Sequence, residues 1–441
     1  MNARSILPLL ILLGALLRLI AIDLRPAGTP LYAPDEPDYV EITTNLWLGD
    51  GYMLGGQPTA YRDMLFPVLA AGIFKLTGGS IKAVQYFQLI LSLLTGWLLY
   101  IIGRKRVSEK WALVLCGIWM VYPLAVIYPS LFVTETLFMF LLMLCFVWYD
   151  KLEARRSVVN MLLLGVLLGL LCLSRAPGTF MVLSVLIYVV LIRYELPWRE
   201  RFRTAALVLT ACLVVVLPWM IRNYVVVDSF SLNTNGGMNM FIGNNPEARG
   251  SYYLNDEMLK RTDSLAPTEA GRDRACRTLA SEYFWGNFRH SLELWPKKFA
   301  HFWSTDMAML THYLPLRGST SLAESLRAQP AWALLVMAIP YCLIVMIGTA
   351  GFYLVKHFPT RGLFILYIFW TVFAAFVTYG LPRYHYPVMP AMMLGMVVYL
   401  ERKPWGEALP WRRNFLLMVL GLFGGIWLFE VATITGFYSI R

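Results

Sequence analysis

Residues 81–106 read IKAVQYFQLILSLLTGWLLYIIGRKR. At about 1.5 Å per helical residue, the apolar run from Ile81 to Gly103 is long enough to cross the roughly 30 Å of hydrocarbon in a bilayer. The triplet Arg104-Lys105-Arg106 that stops it marks the cytoplasmic end of a span. The pattern recurs along the chain. Of its 441 residues, 58% are hydrophobic and only 15% charged, and the mean hydropathy is +0.58; ordinary soluble domains carry far more charge. Apolar runs at 5–22, 81–103, 110–128, 131–149, 158–174, 176–193, 203–221, 331–355, 362–380, 386–400 and 415–437 predict an all-α polytopic membrane protein of about 11 transmembrane helices. The 386–400 run is short and leans on Tyr384 and Tyr386 as interfacial aromatics.

With the N-terminus cytoplasmic, every short inner loop is basic. The loops hold Lys110 beside the first triplet, then Lys151, Arg155 and Arg156, then Arg193, Arg199, Arg201 and Arg203, and later Lys356, Arg361, Arg402, Lys403, Arg412 and Arg413. The net charge of +11 is therefore an insertion signal, and no nucleic-acid partner is expected. Met1 to Ile22 reads as an uncleaved first span, because Arg18 interrupts its apolar core and Ala27-Gly28-Thr29 matches a cleavage site weakly. Five of the six cysteines lie in spans and only Cys276 in an outer segment, so no disulfide framework is expected.

Two outer segments are long. They divide the chain into a membrane module over 1–221 that includes the first outer loop, 23–80; an outer segment, 222–330; and C-terminal spans over 331–441. In the first loop Asp63 to Leu76 reads as an interfacial helix with Phe66, Leu69 and Phe74 dipping toward lipid. In the second, Asn233-Thr234-Asn235-Gly236-Gly237 and Gly243-Asn244-Asn245-Pro246 are turn-forming clusters. Thr268 to Phe288 follows as a helix with an apolar stripe of Cys276, Leu279, Ala280 and Tyr283. No internal repeat is visible, which disfavours the doubled transporter folds.

The chemistry-bearing residues gather on the outer side. Pro34-Asp35-Glu36-Pro37-Asp38 places three carboxylates just past the first span. Asp35 reads as a helix N-cap with proline and acids in the first turn, a role compatible with catalysis because a capped helix is a rigid mount. Asp35 and Glu36 are the candidate bases, and two adjacent carboxylates beside lipid would raise one another's pKa. Arg175 and Arg383 lie in short outer links where insertion disfavours a cation. With Arg62 and Arg222 they form a candidate phosphate pocket, to which His385 would add a donor; each alone is also explained by snorkelling to headgroups. Glu135, at the outer start of a span with no lysine or arginine beside it, needs a partner from elsewhere in the fold and is a third catalytic candidate. His290, His301 and His312 lack metal-ligand spacing, and no Cys-x-x-Cys, His-Glu-x-x-His, P-loop or Gly-x-Gly-x-x-Gly motif occurs. No metal, cofactor or nucleotide is expected.

In order and spacing these segments resemble the bacterial dolichyl-phosphate-mannose-protein mannosyltransferase-like enzymes of the GT-C class, which includes protein O-mannosyltransferases and the aminoarabinose transferase acting on lipid A. The resemblance runs through Asp35-Glu36-Pro37-Asp38-Tyr39 and the amphipathic Tyr61-to-Gly78 stretch, then Thr134-Glu135-Thr136-Leu137-Phe138 and Leu217-Pro218-Trp219-Met220-Ile221-Arg222-Asn223-Tyr224. It continues in the two Asn/Gly-rich clusters and ends in Arg383-Tyr384-His385-Tyr386-Pro387. It implies a GT-C-type bundle in the bacterial inner membrane, a periplasmic active site and a polyprenyl-phosphate-linked sugar donor of undecaprenyl type. It further implies Asp35 as catalytic carboxylate and phosphate binding by Arg62 or Arg383, without a divalent metal. The 222–330 segment shows no strand-rich module, so a glycan or lipid acceptor is expected before a protein one.

The reaction this predicts is inverting transfer: a carboxylate takes the proton of an acceptor hydroxyl while arginines stabilise the departing phosphate. The rivals are a transporter or flippase of lipid-linked saccharide, in which the arginines only grip a headgroup, and a non-catalytic membrane partner. The catalytic reading requires Asp35 to face a cationic cavity.

Overall fold

The computed structural model describes residues 3–25, 35–313 and 322–434. Pro34, Ala27-Gly28-Thr29 and both termini lie outside them, as does the His312 side chain. The chain runs through α1 (Ala3–Leu24), α2 (Glu36–Leu48), a hairpin of β1 (Met53–Leu54) and β2 (Gln57–Pro58), α3 (Leu65–Thr77), α4 (Ile81–Arg104), α5 (Glu109–Val121) and α6 (Pro123–Ile127). There follow α7 (Glu135–Ala154), α8 (Val158–Ser174), α9 (Gly178–Ile187), α10 (Trp198–Val227), α11 (Gly236–Gly243), α12 (Asp256–Ser264), α13 (Glu269–Gly286) and α14 (Phe288–Phe302). The last elements are α15 (Met307–Tyr313), α16 (Leu322–Arg327), α17 (Ala331–Leu354), α18 (Arg361–Val377), α19 (Met389–Arg402) and α20 (Pro410–Ile434).

Within the described residues each of the eleven apolar runs falls largely on helix. Among the described residues five helices, α1, α4, α10, α17 and α20, are individually long and apolar enough to cross a membrane, and a sixth span forms if α5 and α6, bent by 60° at Val121–Pro123, are taken together. The protein is a multi-pass membrane protein. Helix α7, three of whose residues are charged toward its end, is buried along most of its length and forms the centre of the bundle. Helix α19 differs from its sequence reading. It starts at Met389, and Tyr386 is buried within about 6.5 Å of the rings of Trp119, Tyr122 and Tyr128 instead of lying at an interface. Its packing on α17 is close: a Cβ on Gly351 would sit 1.9 Å from the Gly395 carbonyl oxygen. Protein and lipid are equally apolar, so small residues that let backbones approach decide such helix pairs.

The bend between α5 and α6 has a chemical cause. Pro123 has no N–H, so carbonyls at the end of α5 are left without helical partners. Arg18, fully buried in α1, donates to Met120 O at 3.0 Å and Trp119 O at 3.4 Å, and to Gly14 O and Ser92 Oγ at 2.9 Å. These bonds offset the desolvation of a guanidinium inside the bundle. The interruption that argued against a cleaved leader is therefore a structural staple.

The basic loops converge at one end, where Arg106 pairs with Asp150 at 2.7 Å and Arg402 donates to the Arg106 carbonyl at 3.2 Å. The opposite end carries the two long segments. Helix α3 lies close to its expected place, but Phe66 and Phe74 are buried against Tyr39, Phe132 and Trp47. Only Leu69 keeps an exposed face. In the second segment Gly236 and Gly237 open α11 instead of forming a turn, while α13 starts where Thr268 caps the Gly271 N–H at 3.1 Å.

Candidate active site at the loop-bearing end of the bundle

Five segments far apart in sequence meet here. Asp35 precedes α2, Arg62 lies between β2 and α3, Glu135 opens α7, Arg175 ends α8, and Arg383 sits in a short 3-10 turn before α19. Asp35 occupies the N-cap position of α2, but its side chain makes no capping hydrogen bond. It turns instead to two guanidinium groups: Arg62 Nη2 is 2.9 Å from Oδ1 and Arg383 Nη2 is 2.7 Å from Oδ2. Arg62 also holds Asp38 at 2.8 Å. Arg383 Nη2 reaches Glu135 Oε1 at 2.7 Å, and Arg175 Nη1 reaches the same oxygen at 2.5 Å.

The result is a chain of alternating charge, Asp38, Arg62, Asp35, Arg383, Glu135, Arg175. Three carboxylates and three guanidiniums cancel, which is how so many charges tolerate burial. The network deepens along its length: the Asp38 side chain is 27% exposed, Asp35 18% and Glu135 1%. Burial pushes the Asp35 carboxyl up, yet Arg383 and then Arg62 outweigh it and hold that carboxyl well below the usual carboxylate range. The expected raising of the Asp35 pKa is overturned by these two cations, and Glu36 stands outside the network.

Glu36 lies fully buried on the other side of α2. Arg25 donates to it twice, at 2.9 and 2.6 Å, and the Phe132 N–H at 2.5 Å. It ties the end of α1 to the link before α7 and does not line the mouth. Arg222 also stands apart: it donates to the carbonyls of Thr59 at 2.6 Å and Tyr52 at 3.3 Å and lies over the Trp219 ring at 4.9 Å. It props the hairpin segment instead of joining a phosphate pocket. His385 is fully buried, with Nδ1 2.7 Å from Phe302 O and Nε2 2.7 Å from Asp306 Oδ1, so both ring nitrogens are engaged. Tyr122 donates to the second Asp306 oxygen.

Several residues of the site were not singled out from sequence. Asp38 was quoted within its motif, and its spacing of three from Asp35 puts both on one helical face. Asp63 is buried and accepts from Asn233 Nδ2 at 2.7 Å, joining the two long segments; burial raises its pKa. Tyr61 lies beneath the Arg62 guanidinium at 4.8 Å. Tyr384 donates to the Tyr379 hydroxyl at 2.8 Å beside Arg383. Three buried polar atoms here, Arg383 Nε, Glu135 Oε2 and the Tyr128 hydroxyl, have no hydrogen-bond partner. Among the described residues no group of three or more His, Cys, Asp or Glu side chains is arranged to hold a metal.

Residues 62–221 match the sequence profile of a family described as dolichyl-phosphate-mannose-protein mannosyltransferase. That stretch contains Arg62, Glu135 and Arg175. No curated protein sequence matches the chain significantly. Among solved structures, the fold resembles ArnT from Cupriavidus metallidurans bound to undecaprenyl phosphate, with a TM-score of 0.54 at 14% identity, covering 92% of this chain and 62% of that one. Apo ArnT of the same organism gives 0.55 at 16% identity with the same coverage. The oligosaccharyltransferase of Archaeoglobus fulgidus, in complex with zinc and sulfate, gives 0.50 at 12% identity and covers 93% and 51%. The chain spans about three fifths of the length of the ArnT structures. The resemblance drawn from the sequence holds in profile over residues 62–221 and in fold, which is like that of the GT-C enzyme ArnT.

Proposed function

We propose that the protein is an inverting glycosyltransferase that moves a sugar from a polyprenyl-phosphate carrier to a hydroxyl acceptor on the periplasmic face of a bacterial inner membrane. The observation that carries this reading is the position of Asp35 between Arg62 and Arg383, in a largely buried ion-pair network at the loop-bearing end. The matched family and the GT-C fold support the donor class. The undecaprenyl phosphate bound by ArnT suggests the same carrier type here.

The geometry suits the chemistry. Asp35 is ionised at neutral pH, so it can accept a proton, but its two arginines weaken it as a base while the site is at rest. A donor phosphate competes for those guanidiniums, and the unpartnered Arg383 Nε offers it a further N–H. As the arginines turn to the phosphate, the Asp35 pKa climbs and the base strengthens where the acceptor arrives. The acceptor oxygen then attacks the anomeric carbon from the face opposite the phosphate and its proton passes to Asp35. The bond from carbon to phosphate oxygen breaks, and the charge left on polyprenyl phosphate rests on Arg383 and Arg62. Glu135, itself fixed by Arg175, holds Arg383 in place. A saccharide, lipid-borne or free, is the acceptor class favoured below.

The test is Asp35→Asn in proteoliposomes. Release of polyprenyl phosphate should fall by about 10²–10⁴-fold, with binding of the donor lipid retained. A variant that transfers at the normal rate refutes the assignment.

A further inference from the structure

A second concavity opens next to the ion-pair network. It has a volume of about 730 Å³ and lies between the hairpin, the end of α10 and helices α12 and α13, within the range of small-ligand pockets. Leu54, Val225 and Leu259 give it an apolar flank, the last two exposed, and Tyr61 lines it on the side of the site. Tyr61 carries the Arg62 guanidinium 4.8 Å over its ring, and Arg62 is the residue that grips Asp35. The Tyr61 hydroxyl titrates high, first through burial, with the Asp38 and Asp35 charges adding to the shift.

The mouth is chemically mixed. Asp263 pairs through Oδ1 with Arg272, and Asp228 through Oδ2 with Arg274 at 2.9 Å; all four side chains are at least 40% exposed. Among the described residues the second oxygen of each aspartate has no partner, so each pair presents an open acceptor beside guanidinium donors. Deeper in, Glu269 is saturated by Thr59, the Ala60 N–H and Thr234, and Asp273 by the Gly237 N–H and Arg277. The lining therefore carries four carboxylates against one guanidinium, Arg272.

We infer that this cleft is the acceptor subsite and that it takes an uncharged saccharide, whose terminal hydroxyl passes Tyr61 to reach Asp35. The inference rests on the glycosyltransferase reading. Alternating carboxylate and guanidinium groups beside an apolar flank match the hydroxyls and carbon faces of a sugar ring. Three of the four carboxylates are paired with arginines and Glu269 is held by hydroxyls and an N–H, so the cleft offers neither a free guanidinium to a phosphorylated acceptor nor an unpaired acid to a cationic peptide. The end of α10 brings the cleft to the membrane surface, so a lipid-borne saccharide and a free one share the chemistry.

The test uses the full-length chain in cells, with the photo-crosslinker p-benzoylphenylalanine replacing Leu259 and, as a control, replacing the exposed Arg289 outside the cleft. Mass analysis of the adducts should show a saccharide at position 259 only, with or without a lipid tail according to its source. Adding Met238→Trp, which fills the cleft, should reduce that adduct at least 10-fold. Phospholipid alone, peptide alone, a phosphorylated glycan, an adduct equal to the control, no adduct, or an adduct that survives Met238→Trp would each overturn the assignment. The crosslink does not depend on turnover: a chain that binds saccharide here but never releases polyprenyl phosphate defeats the reading of the reaction and leaves the subsite standing.

Discussion

Arg383 meets Asp35 across 348 residues of sequence, with a single guanidinium nitrogen 2.7 Å from Asp35 Oδ2 and 2.7 Å from Glu135 Oε1. One cation therefore bridges the proposed base and a fully buried acid. Its loss would leave each carboxylate with one arginine, Arg62 for Asp35 and Arg175 for Glu135.

Arg383→Ala should move the acid limb of the rate profile to higher pH. The Asp35 carboxyl is held low first by Arg383 and then by Arg62, against the opposing effect of burial. Removing Arg383 raises that pKa, and a base must be deprotonated to act. The sign for stability follows. With a folded-state pKa below the unfolded value of about 4, Asp35 adds stability that is fully present above pH ~4 and lost as pH falls through the depressed value. In the variant the contribution is smaller, and it is fully lost at a higher pH. Transfer rates and thermal unfolding between pH 3 and 8, in steps of about 0.5, check both.

Glu36→Gln should act on stability before chemistry. Breaking the buried pair with Arg25 on one side costs about 3–5 kcal/mol, read as a lower unfolding temperature in detergent. Combining Glu36→Leu with Arg25→Met removes both charges and should recover most of that loss. A double variant that unfolds no later than Glu36→Gln contradicts the pairing account.

Arg222→Ala should leave the donor KM within about 2-fold of normal while loosening the hairpin. Each charged hydrogen bond lost to the Thr59 and Tyr52 carbonyls is worth ~1.5–3 kcal/mol. Limited proteolysis should show new cleavage between residues 52 and 59. A tenfold rise in donor KM with no new cleavage would return Arg222 to the phosphate pocket.

Gly351→Val should prevent accumulation of folded protein, because its Cβ would meet the Gly395 carbonyl oxygen at 1.9 Å. Gly424→Val is the matched control, since a Cβ there meets nothing within 4 Å. Membrane yield of the two variants distinguishes packing from general intolerance.

The fold was legible because apolar runs of spanning length are hard to misread, and Arg175 and Arg383 stood out because insertion gives no reason for cations in their links. What failed did so for definite reasons. Asp35 and Glu36 are neighbours at a helix start and therefore point about 100° apart, one to the network and one to the core, which composition does not reveal. Phe66 and Phe74 form an apolar stripe that would suit lipid or protein equally. Arg222 and His385 have the right chemistry for phosphate, but their partners are backbone carbonyls and Asp306, contacts that exist only once distant segments have met.

The Arg18 bonds to the carbonyls at the end of α5 turn what would be a hinge into a fixed joint. The link that follows α6 carries Ser130 and Phe132 to Arg25 and Glu36, so the frame around Asp35 is braced from within the hydrocarbon layer. A mouth so braced has an aperture of fixed shape, so a long-tailed carrier of the proposed kind would have to fit it by reorienting.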